Sequence, residues 1–378
     1  MNISSWVTAM LVAAMTACGV DQDTDQRAEL QRDADAIRDL GVTGVQARLI
    51  MENGEHVVVT SGVADTVGNG PVDPDGYFRI GSDTKPFVAT VALQLMGEGK
   101  LALDDTVEEH LPGVVSGNGN DGSLITIRHL LQHTSGIHDD YPGFDTPEQY
   151  REGRFDPYPP GELVARAMSH PPDFVPGTRW AYSNTGYLLL AMIIERVTGR
   201  QWHEEADARI ARPLGLEHTF FPGDTPGLPT PHARGYQRFV PGGELVDVTE
   251  LIDWNASGGL ISSTADLNLF FRALLDGTLL EPAFLAEMQR TVPVDEQVEQ
   301  LWPGGRYGLG LRMRPLPCGG VYWGHGGGGS GYMTEDGITS DGRRGVVVSM
   351  SSTLSDSFES LVRQQQAADA LVEHALCA

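Results

Sequence analysis

Lysine is nearly absent from this 378-residue chain. Only Lys85 and Lys100 occur, and every other basic residue is arginine. Basic residues of both kinds are few, 26 against 51 acidic residues, so the formal net charge at pH 7 is −25. A charge of this sign argues against nucleic acids and anionic membrane surfaces as partners. The acidic residues are spread along the chain, as on an ordinary solvated surface.

Internal repeats and long low-complexity segments are also missing, and the 40% hydrophobic content is that of a globular protein with one or two domains. The apolar run at 6–17 is too short to span a bilayer and fits a signal peptide, although no basic residues precede it. Residues 15–19 resemble a bacterial lipobox, which predicts lipidation of Cys18 and an acidic tether at 20–26. The chain is therefore predicted to be exported to the cell envelope or the extracellular space.

Cysteine is scarce, with three residues in the chain. Apart from Cys18, the remaining Cys318 and Cys377 form an even pair in a chain predicted to be exported, which indicates a disulfide. Such a crosslink would close a long loop and stabilise the fold by about 4 kcal/mol in the chain-entropy model. The alternative is a pair of buried free thiols.

One of the two lysines stands three residues after a serine, in the stretch Ser82 to Lys85. Residues at i and i+3 of a helix lie on the same face, so the two side chains can meet. A serine needs a base to become a nucleophile, and lysine can lose its proton when buried, whereas arginine cannot. The spacing predicts a nucleophile and its base, although S-x-x-K is a short pattern that often marks only a helix start.

The order of predicted elements is strands, then helices, then strands, which indicates an α+β fold. The first and last parts should pair in one antiparallel sheet covered by the terminal helices, with a mainly helical part inserted between them. A hairpin turn is predicted at 52–55. Strands are predicted at 45–51, 56–61, 307–313, 320–323, 331–334 and 345–351. Helices are predicted at 27–40, 85–97, 127–132, 161–169, 185–198, 264–276, 281–291 and 355–376.

This order suggests a division of the chain into a leader with its tether (1–26), a sheet domain and a helical domain. The sheet domain would combine 27–90 with 306–378, and the helical domain would cover 91–305. The cleft between two such domains is the default place for a small-molecule site.

Two further motifs accompany Ser82 and Lys85. Tyr182 and Asn184 form the only Y-x-N in the chain and stand at the start of the helix predicted at 185–198. The glycine-rich stretch 324–332 follows a predicted strand, where glycines let a ligand approach the backbone closely. Taken singly, the tyrosine could serve packing and the glycines could form a flexible hairpin tip.

In this order and spacing, the three motifs resemble those of the penicillin-recognising serine hydrolases. That family includes D-alanyl-D-alanine carboxypeptidases, class C β-lactamases and related esterases, and carries S-x-x-K, Y-x-N and then K-T-G or H-T-G. The resemblance covers about 27–377 and is strongest to extracellular actinobacterial D-alanyl-D-alanine carboxypeptidases. With these the chain shares Arg312 after Y-G-L-G-L, Trp254 before the middle glycines, and the pair Cys318 and Cys377. Further stretches that carry the resemblance are 78–82, 99–105, 130–136, 176–177, 258–264 and 307–311.

The resemblance implies a β-lactamase/transpeptidase-like fold and an acyl-enzyme mechanism without a cofactor. Ser82 would attack the substrate carbonyl and Lys85 would accept its proton. Tyr182 would relay protons to the leaving group, and the choice between Lys85 and Tyr182 as the base stays open. Asn184 would bind the substrate amide and hold Lys85.

The glycine-rich stretch supplies the rest of the implied site. The backbone N–H groups of Ser82 and Gly328 would form the oxyanion hole. His325 would supply positive potential or a proton path. The implied substrate-binding residues are Arg312, Trp254, Gly326 and Gly327.

The third motif departs from the family pattern. This chain reads H-G-G-G where the carboxypeptidases read H-T-G-T, whose threonine hydroxyls bind the substrate carboxylate. Gly326 and Gly328 lack these hydroxyls, and Arg312 alone remains from that pocket. We therefore expect a monomeric, carboxypeptidase-like hydrolase of peptide or related amide bonds that prefers small molecules or peptides without a free carboxylate. An esterase or a β-lactamase of the same fold is the alternative.

Three rival interpretations start from other features. A zinc hydrolase would use His133, His138, Asp139 and Asp140, but the chain has no H-x-H or H-E-x-x-H pair. An α/β-hydrolase would need G-x-S-x-G, which is missing. A binding protein without catalytic activity on the same fold is the third, and a covalent serine probe would not label it.

Overall fold

The computed structural model describes residues 25–378, and the predicted leader with Cys18 lies outside them. The helices are α1 (25–39), α2 (Thr84–Gly97), α3 (Val107–His110), α4 (Ile127–Leu131), α5 (Pro147–Gly153), α6 (Pro160–Met168), α7 (Asn184–Thr198), α8 (Trp202–Ala206), α9 (Arg212–Leu214), α10 (Thr264–Leu275), α11 (Pro282–Met288), α12 (Glu296–Leu301) and α13 (Phe358–Cys377). Single turns of other helix types lie at Gly81–Asp83, Gly122–Leu124 and Asp207–Ala211.

The strands are β1 (Gly44–Ile50), β2 (His56–Gly62), β3 (Phe78–Arg79), β4 (Ser116–Gly117), β5 (Asn120–Asp121), β6 (Tyr236–Gln237), β7 (Val246–Asp247), β8 (Ile261–Ser262), β9 (Val292–Pro293), β10 (Arg306–Tyr307), β11 (Arg312–Pro315), β12 (Val321–Gly324), β13 (Gly327–Gly329), β14 (Tyr332–Thr339), β15 (Gly345–Met350) and β16 (Ser352–Thr353).

The main sheet joins the two ends of the chain. Its strand order is β2-β1-β15-β14-β12-β11-β10-β9, and β13 pairs with β14 alone. The pairs within this sheet are antiparallel, and Val45 of β1 lies opposite Met350 of β15. All seven residues of β1 are buried, because helices cover both faces of the sheet. The α+β prediction is confirmed, as is the pairing of the first and last segments.

Two apolar cores lie on opposite faces of the sheet. On one face, α1 and α13 bury residues such as Ile37 and Leu371 against β1 and β15. On the other face, α2, α7 and α10 share a larger core with Val347 of β15. This second core contains residues from both sides of the predicted domain boundaries, so the division at 90 and 305 stays a prediction. Within 25–378, none of the helices combines the length and apolarity needed to cross a bilayer.

The strand predicted at 307–313 is wrong in one respect, because a tight turn divides it into β10 and β11. The Gly308 N–H donates to the Leu311 carbonyl, 2.7 Å away, and Gly310 adopts a φ of +79°. A Cβ at Gly310 would stand 2.5 Å from the methyl group of Ala89. The glycines of Y-G-L-G-L therefore turn the chain against α2, which places Tyr307 directly opposite Arg312 in the sheet.

We predict that the folded protein carries a Cys318–Cys377 disulfide under oxidising conditions. Cys377 ends α13, and its Cα lies 5.7 Å from that of Cys318, within the range that a disulfide spans. Alkylation followed by peptide mass mapping should modify neither cysteine until reductant is added. Because 59 positions separate the two residues, a Cys318→Ala, Cys377→Ala variant should lose about 4 kcal/mol of unfolding free energy. Two alkylated thiols in oxidised, folded protein would contradict the prediction.

Candidate active site

Ser82 lies in the single helical turn at Gly81–Asp83, between β3 and α2. Gly81 has a φ of +53°, and a Cβ there would stand 2.7 Å from the backbone nitrogen of Gly328. Only glycine allows this close approach. The turn leaves Ser82 accessible between buried neighbours, at the floor of two adjoining pockets. One pocket, of about 420 Å³, also contacts Asn184; the other, of about 330 Å³, also contacts Arg312.

Lys85 is fully buried and makes three polar contacts. Its Nζ lies 3.1 Å from Ser82 Oγ, 2.9 Å from Asn184 Oδ1 and 2.8 Å from the Ser257 carbonyl. A neutral amine has two N–H groups and one lone pair. The two carbonyl oxygens can only accept, so they take both N–H groups and leave the lone pair facing the Ser82 hydroxyl. Burial lowers the pKa of Lys85 to about 7, which makes the neutral form available at physiological pH.

Asp139 fixes the orientation of Asn184. Its carboxylate accepts a hydrogen bond from Asn184 Nδ2 at 2.9 Å and from the Thr185 N–H at 2.9 Å. Since a carboxylate can only accept, the amide nitrogen must face Asp139 and the amide oxygen must face Lys85. The Y-x-N motif thus starts α7 with its asparagine already aimed at the lysine.

Tyr182 covers the same lysine from the side. Its ring centroid lies 4.7 Å from Lys85 Nζ, and its side chain lines both pockets together with Ser82. Burial raises the pKa of Tyr182 well above its ordinary value, so the phenol keeps its proton at neutral pH. In this setting Lys85 is the better base, and Tyr182 is placed to pass a proton between Ser82 and a leaving group.

The glycine-rich motif runs from the end of β12 into β13, beside Ser82. A Cβ at Gly327 would stand 1.9 Å from the Ile80 carbonyl oxygen, so glycine is required where β13 packs on the nucleophile turn. Gly328 faces open space instead, and Met333 is the nearest side chain to its hypothetical Cβ, at 3.9 Å. The backbone N–H groups of Ser82 and Gly328 therefore belong to two segments of the backbone that are in direct contact.

Two buried carboxyl groups, those of Asp336 and Asp83, lie beside the glycine-rich motif. Asp336 accepts hydrogen bonds from the backbone N–H groups of His325 and Gly326, at 3.0 and 2.9 Å. Asp83, the second residue of S-x-x-K, is fully buried beside it. Burial and the neighbouring Asp336 carboxylate raise the pKa of Asp83 well above its ordinary value, which favours the protonated form of Asp83.

His325 does not carry the positive charge that we considered for it. Burial, together with nearby Lys85, lowers the pKa of His325 to about 3, so the ring is neutral. Its Nε2 lies 2.8 Å from the Tyr307 hydroxyl and its Nδ1 lies 2.7 Å from the Gly326 carbonyl oxygen. A neutral ring favours the proton path or a positioning role over a source of positive potential.

Arg312 and Trp254 differ in their relation to the pockets. Arg312 lines the smaller pocket but forms an ion pair with Glu335, and each side chain is only 2% exposed. Gly326 adopts a φ of +82°, and a Cβ there would stand 2.8 Å from Glu335 Oε2. Trp254 lines neither pocket, because its indole N–H donates to Asp224, 3.0 Å away.

The four residues of the zinc alternative are committed elsewhere. His133 contacts the Tyr307 hydroxyl at 3.2 Å, and Asp139 holds Asn184. His138 and Asp140 pair with other partners, Asp173 at 2.9 Å and Arg166 at 2.8 Å. Within residues 25–378, no three histidine, cysteine or acidic side chains are grouped as metal ligands would be.

Sequence reasoning missed several residues of this site. Asp139 was considered only as a zinc ligand, and its contact with Asn184 was missed. Its place just after the stretch 130–136, which carries the family resemblance, was the available signal. Glu335 and Asp336 sit in an ordinary-looking strand, and two consecutive acidic residues in a buried β14 are the one signal that was available. The Ser257 carbonyl left no signal at all, since any residue type supplies a backbone oxygen.

Comparison with known proteins agrees with this geometry. The chain matches the Beta-lactamase family over residues 27–371. The crystal structure of a D-stereospecific amidohydrolase from Streptomyces superposes with a TM-score of 0.81 and 38% identity, covering 90% of this chain and 98% of that one.

Two curated relatives match over shorter stretches. Esterase EstB from Burkholderia gladioli is 34% identical, with 56% of this chain and 53% of the relative covered. Penicillin-binding protein 4 from Amycolatopsis lactamdurans is 32% identical, with 51% and 48% covered. The chain thus spans about half the length of these curated relatives. With Ser82, Lys85 and Tyr182 assembled at one point, the protein belongs to the beta-lactamase family and is a serine hydrolase of the acyl-enzyme type.

Proposed function

We propose that this enzyme cleaves amide or ester bonds of D-amino-acid derivatives whose leaving group carries no free carboxylate. The observation that carries the proposal is the buried Arg312–Glu335 ion pair. In the carboxypeptidases that the sequence resembles, the corresponding pocket receives the carboxylate of the terminal residue. Here Glu335 already neutralises the arginine, and a second carboxylate would be repelled by it. The missing hydroxyls at 326 and 328 also weaken binding of a substrate carboxylate.

The rest of this pocket favours an apolar leaving group. Its wall combines aromatic and aliphatic side chains with few polar groups. These are Trp180, Val298, Leu301, Trp302, Met333, Phe358, Leu361 and Val362. The D-stereospecific amidohydrolase and the esterase among the similar proteins support the two bond types and the D configuration.

The mechanism follows from the contacts around Ser82. Neutral Lys85 accepts the hydroxyl proton while Ser82 Oγ attacks the carbonyl carbon, and the N–H groups of Ser82 and Gly328 stabilise the oxyanion. The intermediate collapses when the bond to the leaving group breaks, and the proton passes from Lys85 through Tyr182 to the departing amine or alkoxide. A water molecule then attacks the ester, returns a proton to Ser82 by the same route, and releases the acid.

The test uses substrates that differ only in one charge, D-Ala-D-Ala and its C-terminal amide. A hydrogen bond to a charged group is worth about 1.5–3 kcal/mol. Without the two threonine hydroxyls of the carboxypeptidases, kcat/KM for the free acid should be lower than theirs by about 10² to 10⁴-fold. The wild-type enzyme should therefore prefer the amide. Gly328→Thr should move the ratio of kcat/KM toward the free acid by about tenfold, because a side chain there meets open space. Threonine at 326 is unsuitable, because of its positive φ and the contact with Glu335.

A second pair of variants tests Glu335 directly. Glu335→Gln removes the carboxylate that occupies Arg312 and should also move the ratio toward the free acid, whereas Glu335→Asp keeps the charge and should not. A wild type that cleaves the free acid faster than the amide would refute the proposal. An unchanged ratio in both Gly328→Thr and Glu335→Gln would place carboxylate recognition elsewhere.

We further propose that the enzyme is exported and anchored through a lipid on Cys18. The support is the apolar run at 6–17, the lipobox-like residues that follow it, and the cysteine pair. Metabolic labelling with a tagged fatty acid would mark the wild type and not Cys18→Ala.

A further inference from the structure

Three buried side chains form an unbroken hydrogen-bonded chain across the back of the active site. His133, Tyr307 and His325 are 1%, 0% and 4% exposed. The Tyr307 hydroxyl lies 3.2 Å from His133 Nε2 and 2.8 Å from His325 Nε2. At one end the Ser183 backbone N–H donates to His133 Nδ1 at 3.2 Å, and at the other His325 Nδ1 lies 2.7 Å from the Gly326 carbonyl oxygen.

The two backbone ends fix the direction of every hydrogen bond between them. The Ser183 N–H can only donate, so His133 accepts at Nδ1 and carries its hydrogen on Nε2. The Gly326 carbonyl can only accept, so His325 carries its hydrogen on Nδ1 and accepts at Nε2. The Tyr307 hydroxyl then receives from His133 and donates to His325. The two imidazoles are thus neutral and in opposite tautomers.

The surroundings keep both rings neutral. Burial lowers the pKa of His133 well below its ordinary value, and the nearby Lys85 acts in the same direction on His133 and His325. Burial raises the pKa of Tyr307 well above its ordinary value, so its hydroxyl stays protonated. The ionisable groups around these three side chains are Lys85, Tyr182, Tyr187, Arg312 and Asp336. The Tyr187 hydrogen is committed to the Leu131 carbonyl, 2.9 Å away.

The hydrogen bonds through His133, Tyr307 and His325 connect the Y-x-N motif with the glycine-rich motif, which act on the substrate from opposite sides. Ser183 stands between Tyr182 and Asn184, and Gly326 leads directly into β13 with Gly328. Asp336 holds the N–H of Gly326 at 2.9 Å, and His325 holds its carbonyl oxygen at 2.7 Å. Both peptide groups of Gly326 are therefore fixed two residues before Gly328, whose N–H lies beside Ser82.

We propose that His133, Tyr307 and His325 act together as positioning residues, which hold the Gly328 N–H in line with the Ser82 N–H for the oxyanion. The proposal rests on the acyl-enzyme mechanism with Ser82. None of the three side chains needs to touch the substrate or change protonation during turnover. Their contribution belongs to the transition state, where a displaced donor lowers the rate and leaves substrate binding nearly unchanged.

Tyr307→Phe is the main test, because it removes one hydroxyl and keeps the ring. Loss of a whole oxyanion donor costs about 10² to 10³-fold in kcat, and a displaced donor should cost about 10 to 10²-fold. We expect that loss in kcat with KM changed by less than about twofold, and a parallel slowing of Ser82 labelling by a fluorophosphonate. The matched control is Tyr150→Phe, another buried tyrosine, whose hydroxyl donates to the Glu250 carbonyl at 2.6 Å. It should keep the wild-type kcat.

His133→Asn provides a second variant in case Tyr307→Phe does not fold. His133 adopts a φ of +58°, which asparagine tolerates better than most residues, and the asparagine oxygen can still accept from Ser183. Because Tyr307 keeps its bond to His325, we expect a smaller loss in kcat than in Tyr307→Phe. A wild-type kcat in Tyr307→Phe, or in His133→Asn when the first variant cannot be purified, overturns the proposal.

Nitrogen NMR of histidine-labelled enzyme tests the hydrogen-bond directions on which the proposal rests. It should show His133 as the Nε2–H tautomer and His325 as the Nδ1–H tautomer, both unchanged between pH 6 and pH 8. A protonated ring in that range, or the same tautomer for both, overturns the proposal. If the wild type takes up no fluorophosphonate at all, the acyl-enzyme mechanism itself fails, and the two failures are thereby distinguished.

Discussion

Replacing Ser82 by alanine should abolish covalent labelling by a fluorophosphonate and lower kcat by as much as about 10⁶-fold, the loss seen when a serine hydrolase loses its nucleophile. The expectation follows from the position of Ser82 at the floor of both pockets, with its Oγ 3.1 Å from the Lys85 amine. Mass spectrometry of the intact protein and of its peptides would measure the label. Ser116→Ala, at an exposed serine in β4, serves as the control and should label like the wild type. Undiminished labelling of Ser82→Ala would disprove the assignment of the nucleophile.

Lys85→Arg should lower the rate of acylation by at least about 10²-fold, the lower limit for loss of a general base. Arginine keeps the positive charge and stays protonated, so no lone pair can face the Ser82 hydroxyl. The chain contains its own control, because the only other lysine, Lys100, is exposed and paired with Glu98 at 2.7 Å. Lys100→Arg should act like the wild type. Stopped-flow acylation by a nitrophenyl ester measures all three proteins.

The pH dependence gives the same prediction a second readout. Because burial lowers the pKa of Lys85 to about 7, its amine is protonated and inactive below that pH and neutral above it. The wild-type kcat/KM should therefore rise as the pH increases through about 7 and then level off. Lys85→Arg should lack this rise. Near-normal acylation by Lys85→Arg, or a wild-type profile that is flat from pH 6 to pH 8, would transfer the role of base to another group.

Local spacing in the sequence was enough to predict the centre of the site. Ser82 and Lys85 meet because one helical turn separates them, and Asn184 faces Lys85 because Y-x-N stands at the first turn of α7. Each of these relations depends on a few neighbouring residues, so a motif can encode it. The antiparallel sheet and its terminal helices were predictable for a similar reason, since alternation and amphipathic spacing are local.

The parts that could not be predicted depend on contacts between distant segments. The role of Arg312 changes because Glu335, two strands away in the sheet, neutralises it. The charge of His325 is decided by burial next to Lys85, which no residue near it in sequence reveals. The split of the strand at 307–313 depends on the close contact between Gly310 and Ala89 of α2.

The pairing of β1 with β15 has a consequence for the order in which the protein can fold. Val45 and Met350 are separated by roughly 300 positions, so the central strands of the sheet meet only after nearly the whole chain has left the ribosome. Until then β1 has β2 as its only neighbour, with an apolar edge open to aggregation. The same late pairing of strands brings the β13 backbone against the turn that carries Ser82. Reactivity of Ser82 toward a covalent probe therefore reports that the final strands have docked, and a chain arrested before β15 should remain unreactive.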